Sequence, residues 1–196
     1  MSNLRVIHVF DIDNTIADNK HRIGYLKQYC TTCIAPKDVL TLAHFCGNCN
    51  TYTPTTSLSE DFLNPDLVYE DTPILGALQY VNQLRKHNVT IMYITGRNEN
   101  LRDVTEKWLF DKFERKQDEK LYMRTSKFEG AVASVSKHDN LMSLKSDLNS
   151  TEDDLFTFYD DDPFALAMYS AYGIVIRCPE VWDVIGYNTN GNEFPF

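Results

Sequence analysis

The sequence predicts an α/β fold in which a mostly parallel central sheet is flanked by helices. Three observations lead to this prediction. Apolar segments rich in β-branched and aromatic residues alternate with segments that have helical spacing. The strand-like segments are apolar on both faces, which is typical of buried parallel strands. Polar residues directly follow several of these segments, at the sheet edge where open α/β folds bind their ligands.

The predicted elements alternate along most of the chain. The predicted strands are LRVIHVF (4–10), VTIMYITGR (89–97), KLYMRT (120–125), LFTFYDDD (155–162) and GIVIRC (173–178). The predicted helices are 73–87, 99–113, 137–149 and 163–172. In the first helix, Ile74, Leu78 and Val81 have the spacing of one apolar face, and Pro73 suits the first turn.

One segment, residues 23–71, interrupts this alternation. It contains four of the five cysteines and the Thr/Ser/Pro-rich stretch YTPTTSLSED. A chain of 196 residues has the length of one domain with room for a small insert. We therefore predict that residues 1–22 and 72–196 form the core, and that residues 23–71 form an insert within it.

Charge and hydropathy narrow the function classes. The 19 Lys and Arg against 28 Asp and Glu give a formal charge of -9. That balance disfavours a general nucleic-acid binder, because duplex affinity depends on cationic side chains that neutralise phosphates. The first residues, MSNLRVIHVF, do not have the pattern of a secretory signal. No apolar run has the length of a membrane span, so we expect a cytoplasmic protein without a membrane partner.

Carboxylates follow two of the predicted strands. Asp11 and Asp13 come after the first strand, and Asp160 and Asp161 end the fourth. The carboxyl ends of parallel strands meet at one edge, so these side chains are expected to lie close together. Like charges in one small site disfavour ionisation, and a bound cation relieves this. Oxygen ligands suit magnesium, which shares its coordination shell with a substrate phosphate.

The cysteines of the insert have the spacing of a metal site. Cys30 and Cys33 form one C-x2-C pair, and Cys46 and Cys49 form another twelve residues later. Two such pairs predict zinc held tetrahedrally by four thiolates. Two disulfides are the alternative, and a reducing cytosol disfavours them. A site closed by four cysteines has no open position, so this zinc is expected to be structural. Cys178 is expected to be a buried apolar residue.

Three segments together resemble the motifs of a known superfamily. DIDNT at 11–15 resembles the D-x-D-x-T signature of the haloacid dehalogenase (HAD) superfamily of phosphatases, and ITGR at 94–97 resembles its second motif. YDDD at 159–162 resembles its fourth motif. The third motif is a lysine, for which Lys145 is the best-placed candidate and Lys137 is a rival. The resemblance implies a Rossmann-like HAD fold.

One branch of the superfamily is more similar than the others. The segment DIDNTIADNKHR ends in Arg22, and ITGRNE contains Arg97 directly after Thr-Gly. Both are similar to the 3'-phosphatase domain of phage polynucleotide kinase-phosphatase and to related phage-type hydrolases. A phage-encoded protein would work in the host cytoplasm. Two features depart from that domain: Asn14 stands where glycine is usual, and the cysteine insert is foreign to it.

The resemblance implies a magnesium-dependent phosphomonoesterase that works through an aspartyl-phosphate. Asp11 would attack phosphorus. Asp13 would protonate the leaving oxygen and then deprotonate the attacking water. Thr95 and the amide of Gly96 would bind the phosphoryl oxygens, and Lys145 would balance their charge. Asp160 and Asp161 would bind magnesium together with Asp11 and the main-chain carbonyl of Asp13. Arg22 and Arg97 would grip the phosphate or the leaving group bidentately.

Three other residues are expected to be structural. Asp162 is expected to cap the helix that begins at Pro163. Trp108 and Trp182 are expected to pack in the core.

The substrate stays open between two nucleotide classes. In this superfamily, caps lie between the first and second motifs, which is where the insert falls, and caps usually accompany small substrates. The cap position and the acidic charge favour a 5'-(deoxy)nucleoside monophosphate. The motif resemblance favours a 3'-phosphate at a nucleic-acid end. A catalytically inactive zinc-containing binding module is the competing class, and the intact pair of Asp11 and Asp13 argues against it. The sequence gives no indication of the oligomeric state.

Overall fold

A computed structural model of the protein describes residues 4–25, 45–46, 51–52, 63–128 and 131–182. The chain divides into two compact units. The core unit comprises Met1–Asp18 and Thr72–Phe196, and the insert unit comprises Asn19–Asp71. The division falls before Asn19, so Arg22 belongs to the insert unit, whereas the predicted division assigned it to the core.

The described elements follow the predicted alternation. The strands are β1 (Val6–Phe10), β2 (Ala17–Asp18), β3 (Phe45–Cys46), β4 (Thr51–Tyr52), β5 (Thr72–Pro73), β6 (Thr90–Asn98), β7 (Leu121–Arg124), β8 (Leu155–Asp160) and β9 (Ile174–Arg177). The helices are α1 (Lys20–Tyr25), α2 (Pro65–Glu70), α3 (Leu75–Leu84), α4 (Arg102–Asp111), α5 (Ala133–Asp147) and α6 (Pro163–Tyr169), with short 3-10 helices at Glu99–Leu101 and Ser126–Phe128.

The core unit is built on a five-stranded sheet with the order β7-β6-β1-β8-β9. Every pair in this sheet is parallel. Parallel neighbours need a crossover connection, which the intervening helices provide. The predicted α/β fold with a central parallel sheet flanked by helices is therefore confirmed. The strand β1 lies in the middle, between β6 and β8, so the residues that follow it are surrounded by the ends of both neighbours.

One face of the sheet packs against α5 and α6. Ile7 and Val9 of β1 and Phe158 of β8 form a buried apolar cluster with Leu141 and Leu144 of α5. Residues at alternate positions of a strand share one face, so Asp11 continues the line of Ile7 and Val9. Packing of this face brings α5 over the end of β1.

The opposite face is rich in aromatic side chains. Phe10 and Tyr159 stack with their ring centroids 4.3 Å apart, and Trp182 stacks on Tyr159 at 5.7 Å. The indole nitrogen of Trp182 donates a hydrogen bond of 2.6 Å to the main-chain oxygen of Thr15. Trp182 and Trp108 are both buried, which confirms their predicted packing role. The bond to Thr15 ties this aromatic cluster to the turn that follows β1.

His8 lies inside this aromatic layer, and we expect it to make folding sensitive to acid. It is 8% exposed, and its Nδ1 lies 3.0 Å from the Tyr159 hydroxyl. Burial lowers the pKa of His8 to about 4. The unfolded chain therefore binds a proton more readily than the folded chain between about pH 6.5 and pH 4, and the free energy of unfolding falls as the pH drops through that window.

We expect His8→Phe to reduce this acid sensitivity by about 2 to 3 kcal/mol between pH 7 and pH 4. Phenylalanine keeps the aromatic packing, and the Tyr159 hydroxyl retains its bond of 2.8 Å to the Tyr80 hydroxyl. Denaturant unfolding of both proteins across this pH range measures the difference. Parallel pH profiles for the two proteins would show that His8 does not contribute.

The insert unit contains a buried ion pair. Asn64 caps α2, and its side chain accepts a hydrogen bond from the main-chain nitrogen of Asp66. The C-cap of α2 is Asp71, whose carboxylate accepts two hydrogen bonds from the Arg22 guanidinium, at 2.7 and 2.8 Å. Both side chains are fully buried. A buried guanidinium needs such a partner, because an unpaired buried charge is strongly destabilising.

The predicted zinc site lies largely outside the described residues. Cys46 is on β3, which pairs antiparallel with β4. The side chain of Cys46 and all of Cys30, Cys33 and Cys49 fall outside the described part of the chain. Zinc therefore stays a prediction. In the core unit, Cys178 is buried as predicted, with a free thiol.

None of the helices in the described part of the chain combines the length and the apolar character needed to cross a bilayer.

Candidate functional site

The polar residues singled out in the core unit meet at the carboxyl edge of the sheet. Asp11 follows β1, and its main-chain nitrogen donates a hydrogen bond of 2.9 Å to the Tyr159 oxygen of β8. Thr95 and Arg97 lie near the end of β6. Asp160 ends β8, and Asp161 follows it. Because β1 lies between β6 and β8, the sheet order brings these residues together.

A tight turn follows β1 and contains Asn14. The main-chain nitrogen of Asn14 donates to the oxygen of Ala17 at 2.9 Å, and that of Ile16 donates to Ile12 at 2.9 Å. Asn14 has a φ of 57°, a left-handed conformation that asparagine tolerates better than most residues. Its side-chain nitrogen donates to an oxygen of Asp161 at 3.3 Å. Asparagine therefore supplies the backbone geometry for which glycine is usual and also contacts a carboxylate.

Three carboxylates form one group, which we call the carboxylate cluster: Asp11, Asp160 and Asp161. One oxygen from each lies within 4.8 Å of the others. Burial, opposed by Lys137 and reinforced by the other carboxylates, raises the pKa of Asp11 well above its usual range. Burial likewise raises the pKa of Asp160, and it raises that of Asp161 to about 6. The cluster therefore disfavours full ionisation on its own.

Lys137 is the cation that faces the carboxylate cluster. Its ammonium nitrogen donates to both oxygens of Asp160, at 2.7 and 3.0 Å, and lies 3.3 Å from Oδ1 of Asp11. Burial alone would lower the pKa of Lys137, but Asp11 and Asp160 raise it overall. Lys137 is therefore held in its charged form.

Lys145, the predicted motif lysine, lies elsewhere. Its nitrogen is 5.4 Å from the ring centroids of both Phe156 and Tyr172. Eight residues of helix separate it from Lys137, a displacement of about 12 Å along α5. The structure thus departs from the preferred assignment and brings the rival lysine to the cluster. A sequence signal was available: Lys137 shares the buried stripe of α5 with Leu141 and Leu144, at spacings of four and seven residues.

Arg97 holds the carboxylate of Asp13. Its Nε and Nη2 donate to the two oxygens of Asp13, at 3.0 and 2.8 Å. Arg97 is 2% exposed, and its Nη1 lies 3.4 Å from the Thr105 hydroxyl. The main-chain nitrogen of Arg97 donates to the buried Thr95 hydroxyl at 3.3 Å, and Gly96 lies between these two residues. The structure therefore gives Arg97 a carboxylate partner instead of the predicted phosphate grip.

Arg22 also departs from its predicted role. Its guanidinium is fully buried in the insert unit and committed to Asp71, as described above. A phosphate contact requires a guanidinium that a ligand can reach. The observed pair gives Arg22 a carboxylate partner within the insert unit, and its phosphate contact stays a prediction. Asp162 agrees with its prediction, because its side chain accepts from the main-chain nitrogen of Phe164 and caps α6.

The carboxylate cluster has the chemistry of a magnesium site. All of its donors are oxygens, and Lys137 pairs with two of its three carboxylates, Asp11 and Asp160. Oδ1 of Asp11 is buried without a hydrogen bond, and it forms an ion pair of 3.3 Å with the Lys137 ammonium. Such an oxygen is available to a hard cation. The Asp13 carboxylate, in contrast, accepts from Arg97 and is not part of the carboxylate cluster.

Comparison with known proteins agrees with these features. A family model described as HAD superfamily, subfamily IIIB (acid phosphatase), matches residues 4–149. No curated protein matches the sequence of this chain. A hydrolase from Pseudomonas syringae is similar in structure, with a TM-score of 0.55 and 12% identity over 87% of this chain and 82% of that chain. The L-2-haloacid dehalogenase from Xanthobacter autotrophicus has a TM-score of 0.56 and 10% identity over 96% and 85% of the two chains.

A further similarity is to a larger protein. A chain of the Pnkp1/Rnl/Hen1 RNA repair complex has a TM-score of 0.56 and 12% identity over 91% of this chain. The match covers 43% of that chain, so the present protein spans less than half of its length. At these identities, the structural similarities show a shared fold alone.

Proposed function

Given that the chain belongs to subfamily IIIB of the HAD superfamily, the acid phosphatases, we propose that it hydrolyses a nucleotide phosphate monoester through a covalent intermediate on Asp11. The observation that carries this proposal is the environment of Asp11. One of its oxygens is buried without a hydrogen bond, 3.3 Å from the Lys137 ammonium and within the carboxylate cluster. A carboxylate held in this way is suited to attack a phosphorus atom.

The chemistry proceeds in two steps. In the first, an oxygen of Asp11 forms a bond to phosphorus while the bond to the leaving oxygen breaks, and Asp13 gives that oxygen a proton. In the second, water gives a proton to Asp13 and attacks phosphorus, which breaks the bond to Asp11 and releases inorganic phosphate. Asp11, Asp160 and Asp161 would hold magnesium, and the bound ion would neutralise phosphoryl charge.

The lysine and arginine assignments follow the observed contacts. In this proposal Lys137, not Lys145, balances the charge of Asp11 and of the transferred phosphoryl group. Arg97 is a positioning residue, because its bidentate pair fixes the carboxylate plane of Asp13. Thr95 and the amide of Gly96 are the proposed phosphoryl contacts. Arg22 has no part in the proposed chemistry.

A 5'-(deoxy)nucleoside monophosphate is the proposed substrate. The insert lies between the first and second motifs, where a cap would shape a pocket for a small leaving group. A 3'-phosphate at a nucleic-acid end is the second candidate. The motif resemblance and the structural similarity to a chain of an RNA repair complex support it. A catalytically inactive zinc-containing binding module is the third.

A substrate panel tests the proposal. Phosphate release is measured with magnesium and with EDTA for the 5'-nucleoside monophosphates, a 3'-phosphorylated oligonucleotide and p-nitrophenyl phosphate. We expect magnesium-dependent release from one or more mononucleotides. Release from the oligonucleotide alone would favour end processing. No release from any compound would favour the binding module.

We expect Arg97→Lys to lower kcat about tenfold or more with little change in KM, because lysine keeps the charge but loses the bidentate hold on Asp13. The loss should be smaller for p-nitrophenyl phosphate, whose good leaving group depends less on a proton from Asp13. Steady-state kinetics on both substrates measure this. Arg102→Lys, at a helix-surface pair with Glu99 and Glu106, is the control. A rise in KM alone would instead support the phosphate grip predicted from the sequence.

A further inference from the structure

A half-buried arginine at the carboxyl edge of the sheet, Arg124, is not used by the proposed chemistry. Arg124 is the last residue of β7, in register with Asn98 of β6. By strand alternation it shares a face with Tyr122. Tyr122 packs against the apolar cluster beneath α5, and its hydroxyl donates to Asp147 of that helix at 2.9 Å. Arg124 therefore lies on the side of the sheet that α5 covers.

The same helix carries Lys137. Asn140, one turn after Lys137, donates from its side chain to the main-chain oxygen of Met123 at 3.1 Å. This bond fixes the end of β7 against α5, next to Arg124. The strand order places β6 between β7 and β1, so two strand spacings, roughly 10 Å, separate the backbones that carry Arg124 and Asp11.

Arg124 has no partner among the described residues. Its Nε is buried without a hydrogen bond, and the rest of its guanidinium makes no hydrogen bond or ion pair with the described chain. Burial lowers its pKa. In the described part of the chain, every other buried or half-buried arginine pairs with a carboxylate. These arginines are Arg5, Arg22, Arg85, Arg97, Arg102 and Arg115.

An unpaired guanidinium that is partly removed from water weakens a fold unless a ligand compensates it. In a chain with a formal charge of -9, carboxylate partners are plentiful, yet none of those described reaches Arg124. A guanidinium presents its N–H groups in a planar fork that matches the oxygens of a phosphate. These properties indicate an anionic ligand at the end of β7.

We propose that Arg124 binds a second phosphate of the substrate, distinct from the phosphoryl group transferred to Asp11. The inference rests on the proposed function for its reaction and deepens it by naming the substrate class. The substrate carries either two phosphates on one ribose or a terminal phosphate followed by a phosphodiester. Among the candidates of the proposed function, this narrows the mononucleotide to one that carries a second phosphate on its ribose, and it keeps the 3'-phosphorylated nucleic-acid end.

The test measures the preference for doubly phosphorylated over singly phosphorylated compounds. kcat/KM is measured for adenosine 3',5'-bisphosphate and for a 3'-phosphorylated dinucleotide, each against 5'-AMP and 3'-AMP. We expect the wild-type protein to prefer one of the doubly phosphorylated compounds, and Arg124→Gln to lower that preference about 10- to 100-fold, mainly through KM. The preferred compound distinguishes a bisphosphate from a nucleic-acid end. Arg177→Gln, an exposed arginine at the end of β9, is the matched control and should keep the preference.

Two further measurements separate ligand binding from a structural role. Arg124→Gln should not lower the melting temperature, because it removes a buried charge that has no partner. If no compound is hydrolysed, including p-nitrophenyl phosphate, the proposed function fails, and equilibrium dialysis of the bisphosphate and 5'-AMP still tests Arg124. Tighter bisphosphate binding that Arg124→Gln weakens supports the inference. No preference in the wild-type protein, or a loss in Arg124→Gln that is equal for all compounds, overturns it.

Discussion

Replacing Asp11 with asparagine is expected to lower kcat for phosphate release by about 10⁴-fold or more, which is the scale of losses when a nucleophile is removed. The amide cannot form the proposed acyl-phosphate, and it also removes one carboxylate from the cluster with Asp160 and Asp161. Release of inorganic phosphate from the best substrate of the panel, at saturating magnesium, measures the effect.

The intermediate provides a second readout for the same variant. Acid quenching during turnover, followed by intact-mass measurement, should detect one added phosphate on the wild-type protein and none on Asp11→Asn. Asp139→Asn is the matched control, because Asp139 is a more exposed carboxylate of α5 that pairs with Lys127 away from the cluster. Activity in Asp11→Asn above about one hundredth of the wild-type level would contradict the assignment of Asp11 as the nucleophile.

The edge that carries the candidate site was predictable, because strand ends are strong sequence signals. The apolar run before Asp11 and the one before Asp160 each identify a buried strand, and parallel topology brings their carboxyl ends to one edge. The strand order then fixes which ends are neighbours. Pattern and topology alone therefore anticipated that Asp11, Asp160 and Asp161 would lie together.

Side-chain partners were not predictable in the same way, because they depend on contacts between distant parts of the chain. Arg97 lies 84 positions from Asp13 in sequence, and Arg22 lies 49 positions from Asp71. A motif identifies an arginine but not the carboxylate that it will meet. Both arginines were predicted to bind phosphate, and both pair with an aspartate of this chain.

The helix α5 shows how a boundary error can change a functional assignment. The sequence predicted this helix from residue 137, whereas it begins at Ala133, after the extended N-cap Val132. Ser136 supports the earlier start, because its hydroxyl donates to the main-chain oxygen of Ala133 at 2.9 Å. With the predicted start, Lys137 stands at the frayed end of the helix. With the observed start, it lies in the second turn and faces the sheet.

The choice between the two lysines of α5 gives the second large effect. We expect Lys137→Met to lower kcat/KM by about 10² to 10³-fold, because a preorganised charge next to the reacting atoms is lost. Lys145→Met should keep near wild-type activity, because its ammonium lies over the Phe156 and Tyr172 rings. The two substitutions are chemically identical and lie on one helix, so each is the control for the other. Steady-state kinetics on one substrate decide between them.

The thermal stability of Lys137→Met and Lys145→Met gives an independent test of the two lysines. Without Lys137, the buried carboxylates of Asp11 and Asp160 lose their cation, which destabilises the fold by up to about 3 kcal/mol unless one of them takes up a proton. A divalent cation in the carboxylate cluster restores the missing positive charge, so magnesium should raise the melting temperature of Lys137→Met more than that of the wild-type protein. Lys145→Met gives up only a cation–π contact, worth about 0.5 to 1 kcal/mol, and should show no extra response to magnesium. An inactive, magnesium-responsive Lys145→Met would contradict the assignment of Lys137. It would mean that the last turn of α5 faces the cluster, and that the contacts of Lys137 with Asp11 and Asp160 do not serve the reaction.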